Sequence, residues 1–139
     1  VQLRSVEDTE RQRALAALQA ITGGDIEVAE DQIRALAETD AASELIANLR
    51  LLSAEAEAPR RPRSAAQKLE ALAQASPNCS AAPYALYLAA TYLEADEPAQ
   101  ALRLAEGLLR DYPDTALGPL VTRLMERARQ RTNSSTEKG

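Results

Sequence analysis

Hydrophobic residues along this chain recur every three or four positions, a spacing that places them on one face of a helix. The strict alternation of apolar and polar residues that marks a half-buried strand does not compete with this pattern. Clusters of glycine or proline interrupt it and predict the breaks between helices. The predicted helices cover about residues 6–21, 26–39, 43–58, 64–76, 82–95, 98–111 and 114–131.

Turn-forming and capping residues predict where each helix ends and the next begins. Gly23 and Gly24 can adopt the positive φ that terminates a helix, and Asp25 is placed to cap the second helix. The fifth helix is apolar nearly all round, which predicts burial from more than one side. The other predicted starts are Asp40 or Ser43 for the third helix, Ser64 for the fourth, Pro98 for the sixth and Asp114 for the seventh.

These helices fall into pairs that repeat every 36 residues, and Pro77 and Pro113 coincide in the alignment. Alanine is so common here that an all-alanine column is weak evidence. The alternating small and large columns and the aligned prolines support a repeat. The alternative is an alanine-rich bundle whose helices have similar lengths by chance. The matching sets are Ala29, Ala65 and Ala101; Ile33, Leu69 and Ala105; Leu36, Leu72 and Leu108; Ala16, Leu52, Leu88 and Leu124; Ala17, Ser53, Ala89 and Met125; and Ala20, Ala56, Tyr92 and Ala128.

The columns suggest how the pairs pack. Small residues late in a first helix and early in a second helix let the two approach closely, while leucine and isoleucine fill the space between successive pairs. The seventh helix repeats only first-helix columns and has a charged outer face, as expected of a terminal half-repeat that solvates the stack. We therefore predict three helix pairs and one capping helix.

Composition supports helix and excludes several kinds of chemistry. The chain is 45% hydrophobic, 27% charged and only 3% aromatic, with abundant alanine and leucine. It has no histidine and one cysteine, Cys79, which excludes histidine-based catalytic triads, disulfides within the chain and cysteine metal cages. A net charge of −5 disfavours nucleic acid as a partner. We expect no enzyme activity, no cofactor and no metal site.

The third repeat carries the clearest family resemblance. Residues 92–115 end in Tyr-Pro-Asp-Thr, similar to the junction of bacterial envelope-type tetratricopeptide repeats, and Ala65, Leu69, Leu72 and Pro77 resemble the repeat pattern of the same family. The resemblance implies an all-α, right-handed α-solenoid. It gives repeats at about residues 8–41, 42–77 and 78–113 and a cap at 114–131 within a domain of residues 1–131, with a disordered tail at 132–139.

The same resemblance implies a concave groove lined by the first helix of each pair. We expect that groove to bind a segment of another protein, with Arg50 and Glu94 fixing its polarity. A carboxylate clamp is not expected, because Arg50 is the only cation at the equivalent positions. The predicted partner-binding residues are Leu18, Ile21, Arg50, Ala54, Leu86, Ala90, Leu93 and Glu94.

Two other features of the sequence are candidate sites. Arg60, Arg61 and Arg63 resemble an anion-binding cluster, but their place in a proline-stiffened loop favours a solvated turn. Tyr84 and Tyr87 are candidates for a binding stripe.

The sequence therefore predicts a protein-interaction adaptor in a bacterial assembly. A self-associating module and a small secretion chaperone remain as alternatives.

The longest apolar run, residues 81–93, is too short to span a bilayer, so we expect no membrane insertion by this segment. By resemblance alone, the expected location is the bacterial periplasm or cell envelope, with the cytoplasm as the alternative.

Overall fold

The computed structural model describes the backbone of residues 2–39 and 41–138 and the side chains of residues 9–39 and 41–134. Over this part the chain forms helices and no strand, which confirms the all-α prediction. None of the described helices is long and apolar enough to cross a bilayer. The helices are α1 (Gln2–Thr22), α2 (Ile26–Ala37), α3 (Ser43–Glu57), α4 (Pro62–Ala75), α5 (Ala81–Leu93), α6 (Pro98–Asp111) and α7 (Gly118–Lys138).

Local sequence chemistry explains several helix ends. Gly24 has a φ of +79°, which is the left-handed conformation that ends α1 at little cost only for glycine. The Asp25 side chain accepts a hydrogen bond from the Val28 amide at 3.4 Å and so caps α2. Helix α6 begins at Pro98 and ends at Asp111, as the sequence predicts.

Two other helix starts differ from the prediction. Helix α4 begins at Pro62, with Arg61 at the N-cap position, so Ser64 lies inside the first turn. Helix α7 begins at Gly118 instead of just after Asp114, because Thr115 Oγ1 accepts from the Leu117 amide at 3.2 Å and holds a turn there. The other predicted start of α3, Asp40, lies outside the described residues.

The end of α7 also differs from the predicted helix end at about Arg131. The helix continues to Lys138, through part of the segment 132–139 that the polar sequence marked as a tail. No glycine or proline interrupts residues 132–138, so the backbone hydrogen bonds of the helix can continue.

The helices stack stepwise. Each helix packs against the next one in the chain, and the odd-numbered helices also pack in order, α1 on α3, α3 on α5 and α5 on α7. Within the described residues the backbone of α1 does not approach that of α7, and the backbones of α2 and α4 stay apart, although the Lys68 side chain of α4 reaches Glu30 of α2. This is the contact pattern of an α-solenoid of three helix pairs followed by one helix, and a closed bundle would bring distant helices together.

Burial in the core repeats with the sequence columns. Ala29, Ala65 and Ala101 are fully buried, which lets the paired helices approach closely. One apolar cluster joins α1, α2 and the start of α3, and a larger one runs from α3 to α7. Each fully buried leucine contributes about 1.5–3 kcal/mol to stability. The fully buried leucines on different helices include Leu36, Leu69, Leu108 and Leu124.

Polar contacts link equivalent places in successive repeats. Glu44, at the start of α3, accepts hydrogen bonds from the Ser80 amide at 3.1 Å and from its hydroxyl at 2.9 Å, next to the start of α5. These bonds lower the pKa of Glu44. The Tyr112 hydroxyl donates to the Pro77 carbonyl at 2.6 Å. Both contacts span about one repeat length and help to fix the register of the stack.

Candidate functional site

Three residues that the sequence placed in an open groove are buried. Ala54 is 2% exposed, Ala90 is fully buried and Leu93 is 7% exposed, and all three belong to the larger apolar cluster. In the folded chain these three side chains offer almost no surface to a protein partner. The expected groove therefore does not lie on this side of the odd-numbered helices.

The packing of the even-numbered helices explains this correction. Ala54 lines a cleft whose walls include Ile33 of α2 and Leu72 of α4, so two helices close over its side of α3. The equivalent residue of α1, Leu18, is 38% exposed, because only one even-numbered helix, α2, packs on α1. A small residue at position 54 is needed to pack between two helices.

The other predicted groove residues are scattered. Arg50 is exposed beside the cleft between α2 and α4. Ile21 is half-buried near the end of α1, and Leu86 is half-buried against the larger cluster. With Leu18, these residues retain accessible surface, but the structure does not bring the four together as one groove.

Glu94 has a different role from the one expected. It is 8% exposed and accepts hydrogen bonds from Nε of Arg127 at 3.0 Å and from Nε of Arg131 at 3.1 Å. The hydrogen bond to Glu94 raises the pKa of Arg127. The carboxylate therefore fastens α7 to the end of α5, and its charge is already balanced within the chain.

The opposite side of the odd-numbered helices is open. We call it the odd-helix face and define it by two columns, each spaced at 36 residues, that stay wholly or partly exposed in every repeat. The two columns are seven residues apart, about two helical turns, so they lie on one side of each odd-numbered helix. The columns are Gln12, Asn48, Tyr84 and Leu120, and Gln19, Glu55, Thr91 and Arg127.

Large apolar side chains border these columns on the odd-helix face. Leu15 is 52% exposed, Leu52 is 41% exposed and Leu120 is 43% exposed. The rings of Tyr84 and Tyr87 stack with their centroids 6.4 Å apart and an angle of 29° between the planes. The aromatic pair gives the middle of this face a rigid apolar surface.

The pKa shifts of Tyr92 and Glu55 have causes that connect α3 with α5. Burial raises the pKa of Tyr92, and the nearby Glu55 carboxylate and Tyr84 raise it further. Partial burial also raises the pKa of Glu55 itself. Because Glu55 belongs to α3 and both tyrosines to α5, the two helices contribute to one surface.

The repeat columns carry a signal that separates buried positions from free ones. Two buried columns of the even-numbered helices keep one residue type in each repeat: Ala29, Ala65 and Ala101, and Leu36, Leu72 and Leu108. The exposed column from Gln12 to Leu120 changes its residue type in every repeat. Variation within a repeat column is expected at free positions, where packing does not constrain the side chain.

Arg60 and Arg61 are exposed between α3 and α4, and Arg63, in the first turn of α4, is also exposed and pairs with Glu97 at 3.4 Å. This contact fits the solvated turn that the sequence favoured.

Comparison of the chain with protein-family models, with curated proteins and with solved structures finds no match.

Proposed function

We propose that this chain is a non-enzymatic protein-interaction adaptor of the tetratricopeptide-like class. In this proposal, a segment of another protein binds along the odd-helix face, across α3, α5 and α7. The family assignment rests on the 36-residue repeat and the Tyr-Pro-Asp-Thr junction, together with the stepwise stacking of helix pairs.

The observation that carries the proposal is the unpartnered aromatic and aliphatic surface on the odd-helix face. Tyr84 is 37% exposed beside Tyr87, with Leu52 and Leu120 exposed on the neighbouring helices. Rigid aromatic side chains that are half accessible supply large contact area at a small entropic cost, and they are enriched among the residues that dominate binding energy. Large apolar side chains exposed on one face of neighbouring helices support a binding role.

Charge gives the bound segment a preferred direction. Glu55 lies on α3, and Arg123 is exposed on α7 at the other side of the tyrosine pair. A segment with an apolar ridge, a basic residue near α3 and an acidic residue near α7 would complement both ends. Helical and extended segments can both present such a ridge.

The test compares a face variant with a matched variant elsewhere. Tyr84→Asp combined with Leu120→Asp places two charges on the odd-helix face, and Val28→Asp places one on α2, where Val28 is 44% exposed. The original chain and the Val28→Asp variant should capture the same proteins from a lysate of the source cells. The double variant should fail to capture these proteins. Each candidate is then purified and titrated by calorimetry.

Equal affinity of the double variant and the original chain for the purified partner would contradict the proposed surface. Circular dichroism of each variant confirms that helix content and the melting transition are retained, since all three positions are exposed.

Self-association is the second candidate, and the exposure of Leu120 on α7 favours it. Sedimentation velocity over a range of concentrations separates the two. Dimers that dissociate in Leu120→Asp support self-association, whereas a monomer that binds a purified partner supports the adaptor. Leu124 is unsuitable for this test because it is fully buried.

A further inference from the structure

A cleft of about 370 Å³ opens between α2, α3 and α4, on the opposite side of α3 from the odd-helix face. It exists because α2 and α4 both pack on α3 while their backbones stay apart, linked by the ion pair between Lys68 and Glu30. Its volume lies at the lower end of the range for small-molecule sites, about 300–1,000 Å³. The lining residues are Glu30, Ile33, Arg34, Arg50, Ser53, Ala54, Lys68, Ala71, Leu72 and Ala75.

One polar group in this cleft lacks a partner. Ser53 is 3% exposed, and its hydroxyl makes no hydrogen bond within the described residues. A buried hydroxyl without a partner destabilises the folded chain, so such groups are rare and need an explanation. A ligand that bonds to Ser53 would remove this cost.

The charged residues around the cleft leave one cation unpaired. Lys68 binds both Glu30 and Glu57, the latter at 2.6 Å, and Arg34 pairs with Asp31 at 3.0 Å. Arg50 is exposed and has no ion pair among the described residues. Because Ser53 follows Arg50 by three residues on α3, the hydroxyl and the guanidinium lie on the same side of the helix, one turn apart.

We propose that this cleft binds a small aliphatic monocarboxylate. Its apolar body lies along Ala71 and Ala75, which line the cleft and are exposed, its carboxylate pairs with Arg50, and the Ser53 hydroxyl donates to a carboxylate oxygen. Arginine binds carboxylates through paired hydrogen bonds. A doubly charged phosphate fits less well, since a single free cation faces it while the Glu30 carboxylate lines the same cleft.

The proposal is tested with octanoate as the probe, titrated by isothermal calorimetry and by ligand-observed NMR. Octylamine has the same chain with the opposite charge, and acetate has the same head without the chain. Both should bind at least about tenfold more weakly than octanoate. Equal binding of octanoate and octylamine, or no detectable binding of octanoate, would overturn the assignment.

Variants locate the binding. Arg50→Gln should weaken octanoate binding about tenfold, while Arg103→Gln on α6 should leave it unchanged. Ala71→Leu fills the cleft from its exposed rim and should abolish binding, while Gln67→Leu, exposed on the same helix but outside the cleft, should not. Wild-type affinity in both Arg50→Gln and Ala71→Leu would refute the site.

Ser53→Ala separates a ligand role from a structural one. Because the hydroxyl has no partner in the free chain, its removal should leave the melting temperature unchanged or higher, yet weaken octanoate binding severalfold. A lower melting temperature with unchanged octanoate affinity would show that the hydroxyl serves the fold instead.

Discussion

Lys68 shows how a single side chain can join three helices. From α4 it binds Glu30 of α2 and Glu57 of α3. Burial disfavours the ionised form of Glu57, but hydrogen bonds from Lys68 and Ser64 outweigh it and lower the pKa of this carboxyl. Burial by itself would lower the pKa of Lys68. Its two carboxylate partners outweigh burial and raise the pKa of this ammonium group above the ordinary value.

Removing the ammonium group should therefore destabilise the fold. Lys68→Met leaves Glu57, which is 5% exposed, without the positive charge of Lys68. We expect the free energy of unfolding to fall by about 1–2 kcal/mol. This is less than for a fully buried ion pair, because Lys68 is half exposed. Urea denaturation at neutral pH measures this loss. Arg103→Met, on the exposed side of α6, is the control and should change stability by less than about 0.5 kcal/mol.

The same pair predicts a dependence on pH. The pKa of Glu57 is lowered in the folded chain, so its contribution to stability is complete above the ordinary glutamate pKa and is lost as the pH falls through the folded pKa. The contribution of Lys68 is complete below the ordinary lysine pKa and is lost as the pH rises through its raised value. The stability difference between the original chain and Lys68→Met should therefore shrink in acid; a difference that stays constant would contradict the linkage.

Tyr112 offers a test of the links between repeats. Its hydroxyl donates to the Pro77 carbonyl, so Tyr112→Phe should cost about 0.5–1.5 kcal/mol in urea denaturation. Tyr84→Phe is the matched control, since the Tyr84 hydroxyl has no hydrogen bond among the described residues. Equal stability of the two variants would mean that the Tyr112 bond contributes nothing.

At the scale of helices, close approach depends on the small residue early in each even-numbered helix. Ala29 of α2, Ala65 of α4 and Ala101 of α6 are all fully buried, at intervals of 36 residues. The capping signals that precede these helices vary, from Asp25 before α2 to Arg61 before α4. Packing of the small column, more than capping, therefore positions the even-numbered helices.

Overpacking that column should be costly. Ala65→Leu adds a branched side chain where no space exists, and we expect destabilisation of about 1–3 kcal/mol in chemical denaturation. Ala99→Leu adds the same group at an exposed position of α6 and should be nearly neutral. A neutral Ala65→Leu would show that α4 can move away without loss.

For the whole molecule, linear stacking predicts that stability is local. Leu36 lies in the apolar cluster of α1, α2 and the start of α3, whereas Leu108 lies in the cluster that extends to α7. Each helix contacts only its near neighbours, so the loss of a contact is felt mainly within its own part of the stack.

Hydrogen exchange can measure this locality. Leu36→Ala should cost about 2–5 kcal/mol and speed amide exchange mainly in α1 and α2, with α5 to α7 still protected. Leu108→Ala should give the reverse distribution. If both variants speed exchange evenly along the chain, the molecule unfolds as one cooperative unit and the stacking argument fails.

Several elements were predictable because local chemistry decides them. Gly24 and Asp25 set the junction of α1 and α2, and Pro98 begins α6, since φ preferences and side-chain capping act within a few residues. The start of α7 was predicted too early, because a turn at Thr115 competes with the capping signal of Asp114. Such competition between neighbouring signals depends on the surrounding packing.

The amino-acid sequence by itself determined the seven-helix pattern and the 36-residue columns, because helix preference and hydrophobic spacing are properties of neighbouring residues. Only the tertiary structure decided which side of each odd-numbered helix stays free. Ala54 and Ala90 are buried because even-numbered helices close over them, while Tyr84 and Leu120 face outward. A helix has more than one apolar side in this chain, and the sides become distinguishable only when neighbouring helices pack on one of them.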